Sequence, residues 1–418
     1  MPSPQGSGNQ VQYRPKARDL MELSNKTTPG DDPSAKASLE SSRVRDRVPA
    51  GLIGMLILVA AVELFVGSHR LEFSDPVSWN WRLSAEDARE RAPGASILCV
   101  GDSLVKHSVI PSILEERTGR KTHNLGLARG PAPATYFLLR RALDAGTKPA
   151  AVVVEYKPGV LVGSPQYNLR YWQEILTPSE SLELTRVDGS GSLFASIVLG
   201  QIFPSYRSRH EIRGAIQAAL KGEANPLRLI NEFCRRNWRI HQGANVAARN
   251  LAFNGTIGPE QRKTLLWHLW YCHRANRVYV RKLLDLTAKQ HIPTYWLLPP
   301  ISPALQEKRE ASGAEGGYIG FVGSFQKQYP HLKVIDGRHA GYGSDVFVDA
   351  THLDGQGALT LSHDLAEILN RDLSHGPEGP RWANLPAYRK RTPSRSLEDV
   401  DQSQQIVRAE LAERARRR

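Results

Sequence analysis

The sequence predicts an α/β fold with a parallel β-sheet, a helical insertion and one N-terminal transmembrane helix. From residue 96 onward, short apolar runs alternate with helix-like segments, which is typical of βαβ units. A separate apolar run near the amino end has about 20 residues, the length that the hydrocarbon core of a bilayer requires. The 418 residues are 40% hydrophobic, which is enough for one large domain or two ordinary ones with a sizeable core.

The basic composition would permit contact with nucleic acid or with an anionic membrane, because the net charge is +13. Much of the excess lies near the two ends of the chain and in scattered arginines, and no zinc-finger spacing or RNA-binding aromatic signature occurs. We therefore expect a solvated basic surface and no nucleic-acid partner. The three cysteines are too sparse for a disulfide framework or paired metal ligands. We expect Cys99 to pack as a small hydrophobe, and one disulfide between Cys234 and Cys272 stays open.

The apolar run covers residues 49–67 and has Glu63 as its only charge. Three arginines precede it, namely Arg43, Arg45 and Arg47. A basic flank stays cytoplasmic, so we expect a single-pass anchor in the cell membrane with the folded domain outside the cytoplasm. A cleaved signal peptide ending at residues 66–68 is one alternative, against which the long polar leader argues. A buried core helix is the other alternative.

The rest of the chain divides by composition. Residues 1–48 are polar without apolar periodicity and are predicted to be a disordered cytoplasmic tail. Residues 90–374 are predicted to form the folded domain, with a mostly helical insertion at about 165–290. The aromatic cluster at residues 267–271 would form either a lid or the core of this helical part. Residues 375–418 are predicted to be a basic, largely disordered tail.

Within the folded domain, five short segments are predicted strands: residues 96–100, 121–125, 150–156, 292–298 and 332–336. Three segments with helical spacing are predicted helices: residues 109–117, 134–144 and 357–369. The third strand is continuous rather than alternating in its apolar residues, so we expect it at the buried centre of the sheet. Pro111 lies where the first of these helices begins and a missing N–H matters least.

Two short motifs carry candidate chemistry. Gly101-Asp102-Ser103-Leu104 directly follows the first strand, at the strand end where open α/β sheets place their ligands. Asp349 precedes His352 by three residues, far along the chain and just before the last predicted helix. A serine hydroxyl needs a neighbouring base to take its proton, and that base needs a third group to hold its tautomer. The two motifs together supply a serine, a histidine and a carboxylate for ester cleavage.

The other histidines fit this chemistry less well. His107 lies one turn past the serine and is predicted to point away from it, and His363 is predicted to be solvated. Three more, His241, His268 and His273, form no pair at helical spacing with a nearby acid. The glycine-rich turn at residues 124–130 lacks the phosphate-binding patterns. No metal or organic cofactor is predicted.

The two motifs resemble the nucleophile block and the acid–histidine block of the SGNH (GDSL-type) hydrolase superfamily. The resemblance covers residues 96–160 and 290–370, and it implies a flavodoxin-like, three-layer parallel sheet. It also implies that Ser103 attacks an ester carbonyl, that His352 removes the serine proton and that Asp349 holds His352. The resemblance further implies an oxyanion hole built from the Ser103 N–H and a glycine N–H, either Gly130 or Gly126.

One block departs from the family. After its central strand the family usually has Gly-x-Asn, whose side-chain amide points at the oxyanion. Here Gly159 stands in the place of that asparagine. Either Lys157 or Asn168 substitutes for it, or the oxyanion hole has two donors.

The resemblance implies a serine ester hydrolase, an acyl or acetyl esterase of a small molecule or of cell-surface carbohydrate. The membrane span adds a likeness to anchored SGNH proteins that handle acyl groups on cell-surface polymers. Two alternatives stay open. An O-acyltransferase of the same fold would pass the acyl group to a sugar hydroxyl, and a non-catalytic binding protein would have kept only the fold. The substrate, or acylated ligand, and the membrane are the partners expected.

Overall fold

The computed structural model describes residues 50–266, 269–376, 379–392, 394 and 396–417. The predicted tail at residues 1–48 and two members of the aromatic cluster, Trp267 and His268, lie outside the described residues. The chain divides into residues 1–53 and 54–418, and the second unit contains the whole sheet.

The described residues form helices and strands, with the largest group of helices between β3 and β4. The strands are β1 Ile97–Gly101, β2 Thr122–Asn124, β3 Ala151–Glu155, β4 Thr294–Leu298, β5 Leu332–Asp336 and β6 Trp382–Asn384. The α-helices are α1 Ala50–Ser68, α2 Arg70–Phe73, α3 Pro76–Glu90, α4 Ser103–Ser108, α5 Pro111–Thr118, α6 Ala132–Asp144, α7 Pro158–Val162, α8 Trp172–Ile175, α9 Pro178–Asp188, α10 Gly191–Ile202, α11 Pro204–Arg207, α12 Arg209–Leu220, α13 Leu227–Ile240, α14 Pro259–Leu265, α15 Arg274–Lys289, α16 Pro303–Ala311, α17 Ala314–Gln328, α18 Gly355–His375 and α19 Val400–Arg416. Two 3₁₀ turns lie at Pro165–Asn168 and Ser344–Val346.

The six strands form one sheet in the order β2-β1-β3-β4-β5-β6, and every neighbouring pair is parallel. The predicted α/β class with a parallel sheet is therefore confirmed. The five predicted strands are all present, and no predicted end differs from the observed end by more than two residues. The third of them, β3, lies between β1 and β4 and is fully buried, as its continuous apolar sequence predicts.

Helices cover both faces of the sheet. Because successive strand residues point to opposite faces, Leu98 and Val100 belong to one apolar core, and Ile97 and Cys99 belong to the other. The first core contains residues of α3, α6, α15 and α17, and the second contains residues of α4, α5 and α18. This arrangement leaves the carboxyl edge of the sheet, where β1 and β3 end, for the functional side chains.

The folded domain begins before residue 90. In α3, Trp81 is completely buried, packs on Trp172 of α8 and donates its indole N–H to the Ala128 carbonyl oxygen at 2.8 Å. The helix is capped by Asp75, which accepts a hydrogen bond from the Val77 backbone N–H. The residues that link α1 to the sheet are thus part of the first core.

The carboxyl-terminal segment differs from the prediction of a largely disordered tail. Strand β6 extends the sheet beside β5, and α19 packs along α13. Asp399 and Gln402 form a capping box that begins α19, and Glu398 pairs with Arg236 of α13 at 2.7 Å. The basic composition of the segment hid these local signals. The disulfide left open between Cys234 and Cys272 is also not formed, since all three cysteines are free thiols.

Helix α1 covers the predicted membrane span. In the described part of the chain, Gly51–Ser68 is the stretch long and apolar enough to cross a bilayer. Only 6% of this stretch is buried, whereas the alternative of a core helix would require most of it to be buried.

Candidate active site

The nucleophile motif forms the tight turn between β1 and α4. Gly101 has a φ of +152°, and a Cβ atom there would lie 2.3 Å from the carbonyl oxygen of Glu155. Only glycine fits this conformation and this close approach to β3. Asp102 follows and caps α4 by accepting a hydrogen bond from the Leu104 N–H at 2.8 Å. Ser103 is therefore the first residue of α4, at the carboxyl edge of the sheet.

The acid–histidine motif lies in a loop held at both ends. Phe347 and Leu353 form an antiparallel bridge, and the Val348 N–H donates to the His352 carbonyl oxygen at 2.9 Å. The Ser302 N–H, just beyond the end of β4, donates to the Ala350 carbonyl oxygen at 3.0 Å. These bonds fix the backbone of the acid–histidine loop, which we define as residues 347–353.

The structure brings the three predicted catalytic side chains together. His352 Nε2 lies 2.9 Å from Ser103 Oγ, and His352 Nδ1 lies 2.7 Å from Asp349 Oδ2. An ionised carboxylate only accepts hydrogen bonds, so the Asp349 contact places the imidazole proton on Nδ1. Nε2 is then the acceptor for the Ser103 hydroxyl proton. This is the arrangement that base-assisted attack by a serine requires.

Asp349 is held as a carboxylate by its neighbours. Its Oδ1 accepts the backbone N–H groups of Thr351 at 2.7 Å and His352 at 2.9 Å. Burial alone would raise the pKa of Asp349, but the hydrogen bond and charge of His352, with these backbone bonds, hold it well below its usual range. Asp349 thus stays ionised and can stabilise an imidazolium at His352.

His107 lies beside His352, and no hydrogen bond among the described residues joins it to Ser103, the residue from which it was predicted to point away. Its ring is edge-on to the His352 ring, with centroids 5.3 Å apart, and its Nδ1 lies 3.1 Å from the Asn245 carbonyl oxygen. Burial, followed by repulsion from His352 and Lys106, lowers the pKa of His107 to about 3. His107 is therefore a neutral neighbour of His352, and it is His352 Nε2 that accepts the hydrogen bond from the Ser103 hydroxyl.

The prediction of a solvated His363 is wrong. His363 is only 3% exposed, and its Nδ1 accepts a hydrogen bond from Arg117 Nε at 2.8 Å. It connects α18 to α5 on the covered face of the sheet. The leucines of α18 alone did not reveal that this polar residue also faces the packed side.

A buried pair of acids lies behind the nucleophile helix. Asp102 accepts hydrogen bonds from the N–H groups of Leu104 and Lys157, and Glu155 Oε2 accepts the Val105 N–H at 3.2 Å. Burial and then the Asp102 charge raise the pKa of Glu155 well above its usual range. Burial raises the pKa of Asp102 as well, so both acids hold their protons to a higher pH than usual, and the pair ties α4 to the end of β3.

Neither predicted glycine donor is available in this structure. The Gly126 N–H donates to Asn124 Oδ1 at 2.8 Å, and the Gly130 N–H donates to the Leu127 carbonyl oxygen at 3.0 Å. By contrast, the Ser103 N–H at the start of α4 has no acceptor among the described residues. Of the three predicted oxyanion donors, only Ser103 has its N–H open to a ligand.

Of the two residues considered in place of the family's asparagine, Lys157 lies at the site. It directly follows β3, and its Nζ is 3.2 Å from the hydroxyl of Thr351 in the acid–histidine loop. Burial lowers the pKa of Lys157, against the opposing effect of Asp102. Asn168 lies in the turn Pro165–Asn168, and none of its hydrogen bonds among the described residues reaches the triad. Gly159 lies within α7.

A cavity of about 340 Å³ opens beyond the ends of β4 and β5. Its lining combines apolar and charged side chains: Pro300, Ile301, Gln306, Glu310, Arg338 and Tyr342. Ile301 also packs in one small cluster with Ala350 of the acid–histidine loop. The cavity is thus next to that loop.

In the part of the chain that the structure describes, no group of three or more His, Cys, Asp or Glu side chains is arranged to hold a metal ion. Comparison of the chain with models of known protein families and with curated proteins finds no match. The side chains and their geometry therefore carry the functional inference.

Proposed function

We propose that this protein is a serine ester hydrolase of the SGNH type, acting on acyl or acetyl esters. The observation that carries the proposal is the continuous hydrogen-bonded series from Ser103 Oγ through His352 to Asp349. The three residues come from two motifs 249 residues apart along the chain. The site is partly open to solvent, so these hydrogen bonds are not part of the packed core. Their arrangement therefore favours a catalytic role over a purely structural one.

In this mechanism, Ser103 Oγ attacks the ester carbonyl carbon while His352 Nε2 takes the hydroxyl proton. The imidazolium then protonates the leaving alkoxide, which departs as the alcohol and leaves an acyl-serine. Water then attacks the acyl-serine while His352 takes a proton from it. The imidazolium returns this proton to Ser103 Oγ as the acid leaves. General acid–base assistance of this kind contributes roughly 10²–10⁴-fold, and Asp349 keeps the tautomer that makes it work.

The negative oxygen that forms on the carbonyl needs donors. We assign this role to the Ser103 N–H and to the ammonium group of Lys157, which lies beside the acid–histidine loop. Lys157 follows the same strand after which the family has its asparagine, two residues before the place of that asparagine, and its longer side chain reaches the acid–histidine loop. A preorganised donor of this kind contributes roughly 3–4 kcal/mol to transition-state stabilisation.

The fold supports the SGNH assignment. The first five strands have the order 2-1-3-4-5, which is the order of flavodoxin-like sheets. Ser103 follows β1 and Lys157 follows β3, the two strands between which such sheets bind their ligands. Helices on both faces give the three layers that the resemblance implies.

The apolar and exposed surface of α1 supports a membrane-anchored enzyme, because only 6% of Gly51–Ser68 is buried. We propose that α1 crosses the cell membrane with the amino end in the cytoplasm and the catalytic domain outside it. The side chains of His352 and Asp349 are 22% and 38% exposed, so a bulky acylated glycan could approach the triad. Reporter fusions after residue 375 should be active only outside the cytoplasm, and activity inside it would exclude this topology.

A non-catalytic binding protein is the second candidate. It is favoured by the two glycine N–H groups, Gly126 and Gly130, which are occupied within the protein and so do not form the hole that the family uses. Such a protein would bind an acylated ligand at Ser103 without cleaving it.

One experiment separates these candidates. The full chain, purified in detergent, is assayed with p-nitrophenyl acetate and with a fluorophosphonate that labels activated serines. We expect Ser103→Ala to abolish both signals, and the exposed Ser192→Ala to leave both unchanged. Equal hydrolysis by the wild type and Ser103→Ala would refute the esterase. Adding an acceptor sugar then separates hydrolysis from acyl transfer, because only a transferase yields the acylated sugar.

A further inference from the structure

An exposed apolar surface lies on the helices that contact the end of α1. Outside α1, six of the twelve large hydrophobic side chains exposed in the described residues lie within residues 199–220. They are Leu199, Ile202, Phe203, Tyr206, Ile216 and Leu220, and we call them the α10–α12 surface. Helix α10 buries Leu193 and Ile197 and yet also exposes leucine and isoleucine on its outward side. A soluble protein would normally place polar residues there.

The middle of the α10–α12 surface, at the start of α11, contacts the last turns of α1. Glu63 of α1 accepts hydrogen bonds from the Ser205 backbone N–H at 2.8 Å and from the Ser205 hydroxyl at 2.5 Å. One turn later, Gly67 lies against the ring of Pro204, which a Cβ atom would meet at 3.8 Å. The start of α11 is therefore beside the α1 segment between Glu63 and Ser68.

The length of the apolar run fixes the depth of this contact. At 1.5 Å per residue, the 19 residues of the run at 49–67 span about 28 Å as a helix, close to the roughly 30 Å thickness of the hydrocarbon core. The run has no surplus length, because Arg47 precedes it and Arg70 follows it, so a spanning α1 places Ser68 near the hydrocarbon boundary and Glu63 about 7 Å below it. A carboxylate at that depth needs partners from the protein, and Ser205 supplies them.

We propose that the α10–α12 surface is inserted into the outer leaflet of the membrane in which α1 is anchored. This inference rests on the proposed transmembrane role of α1, and it adds a second, monotopic contact between the domain and the lipid. Because Ser205 descends to the level of Glu63, its neighbours Ile202, Phe203 and Tyr206 must lie at the acyl-chain boundary. The partner is the lipid itself, at the depth typical of interfacial helices.

The charges around the surface suit lipid headgroups. Arg209 lies over the Tyr206 ring, 4.7 Å from its centroid, a pair that places an aromatic ring and a cation together at the interface. Arg213 and Lys221 are also exposed on or next to α12. Residues 190–206 contain no charged side chain, and the cations follow this stretch: Arg209 and Arg213 lie between Tyr206 and Ile216, and Lys221 follows Leu220. Cations so close to exposed apolar side chains can meet lipid phosphates while the apolar side chains meet acyl chains.

The test uses the full chain in phosphatidylcholine vesicles with a minor share of phosphatidylglycerol. Cys234→Ser removes the half-buried thiol, and single cysteines carry a fluorophore that nitroxide lipids quench. The probe sites are Ile202→Cys and Leu220→Cys. Leu251→Cys is the matched control, because Leu251 is 84% exposed and Leu220 is 83% exposed. Leu58→Cys reports separately on α1.

We expect nitroxide lipids to quench the labels at positions 58, 202 and 220 several-fold more than the label at position 251, and aqueous iodide to show the reverse order. A quenched position 58 with positions 202 and 220 as open to iodide as position 251 would overturn the proposal and leave the anchor intact. An unquenched position 58 would remove the anchor and the proposal together. Protection of position 220 from iodide that depends on protein density, without lipid quenching, would identify a second copy of the chain and also refute it.

A substitution tests the same surface without a probe in its centre. Ile202→Ser combined with Phe203→Ser should reduce lipid quenching at position 220 several-fold, since the apolar contact that holds α12 at the leaflet is lost. Fluorophosphonate labelling of Ser103 should be unchanged, because neither residue belongs to the triad. Unchanged quenching in this variant would contradict the proposal.

Discussion

Lys157 Nζ lies 3.2 Å from the hydroxyl oxygen of Thr351, and that hydroxyl lies 3.0 Å from Asp349 Oδ1. This contact joins the end of β3 to the acid–histidine loop through a positive charge. The Lys157 backbone N–H also bonds Asp102, the residue before the serine. One lysine therefore touches both halves of the site, although only its position after β3 could be read from the sequence.

Lys157→Met should lower kcat about 10²–10³-fold while KM changes little, because the ammonium group acts on charge that develops in the transition state. Steady-state hydrolysis of p-nitrophenyl acetate measures this split. The exposed Lys148→Met is the matched control and should behave as the wild type. A kcat within twofold of the wild type would show that the Ser103 N–H suffices without Lys157.

Asp349→Asn should reduce kcat by on the order of 10³–10⁴-fold without unfolding the protein. The backbone N–H groups of Thr351 and His352 require an acceptor at the Oδ1 position, so the new amide nitrogen must face His352 Nδ1. The amide then donates to Nδ1 and puts the imidazole proton on Nε2, where it blocks proton transfer from Ser103. A small loss of kcat, with an unchanged melting temperature, would contradict this tautomer argument.

His107→Gln should keep most of the activity, whereas His352→Gln should lose it. The glutamine amide can still donate to the Asn245 carbonyl oxygen, which is the contact that His107 makes. With its pKa at about 3, His107 is already neutral throughout the working pH range, so its removal should leave the pH–rate profile in place. Loss of one limb of that profile in His107→Gln would show that both imidazoles take part.

The sequence predicted what short-range patterns encode. Five short segments were correctly predicted as strands, and the position of Ser103 after the first of them placed this serine at the carboxyl edge. Strand β6 was missed because its three residues, Trp382–Asn384, follow a long polar stretch and pair only with β5. The sequence partly indicated a basic helix from Ser403 onward, but the packing of α19 on α13 was missed, since the contacts that hold it come from α13 and not from an apolar repeat of its own.

The electrostatics of the site could not be predicted, because they depend on contacts distant in the sequence. Nothing near Gly126 indicates that Asn124 accepts its N–H, since the asparagine side chain is held in turn by the carbonyl oxygens of Val105 and Val109. The raised pKa of Glu155 likewise results from burial and from the neighbouring charge of Asp102. The two residues are neighbours only because β1 pairs with β3. The amino-acid composition therefore predicts neither the Gly126 hydrogen bond nor the pKa of Glu155.

Glu155→Gln should stabilise the protein at neutral pH and flatten its pH dependence. Above pH 4.5, the ordinary pKa of a glutamate, the unfolded chain releases the proton, whereas folded Glu155 keeps it because its pKa is raised. The free energy of unfolding therefore falls as pH rises from 4.5 toward the folded pKa, by up to about 1.4 kcal/mol per pH unit. Glutamine has no proton to lose and its amide can donate to Asp102.

Urea unfolding between pH 5 and pH 8 measures this difference, with the exposed Glu413→Gln as the control. A Glu155→Gln variant that keeps the pH slope of the wild type would show that Glu155 is not the group responsible.

Gly101→Ala should destabilise the protein far more than Gly119→Ala. Both glycines have a positive φ, +152° and +64°, but only at Gly101 would the new Cβ meet backbone, 2.3 Å from the Glu155 carbonyl oxygen. At Gly119, which ends α5, the Cβ would enter open space. The Gly119 change should lower the free energy of unfolding by about 1 kcal/mol, the conformational term alone. The Gly101 change adds backbone displacement at the β1–α4 turn and should exceed about 3 kcal/mol. Thermal unfolding of the two variants compares these terms directly, and equal losses would mean that β1 and β3 are farther apart at this point than the structure places them.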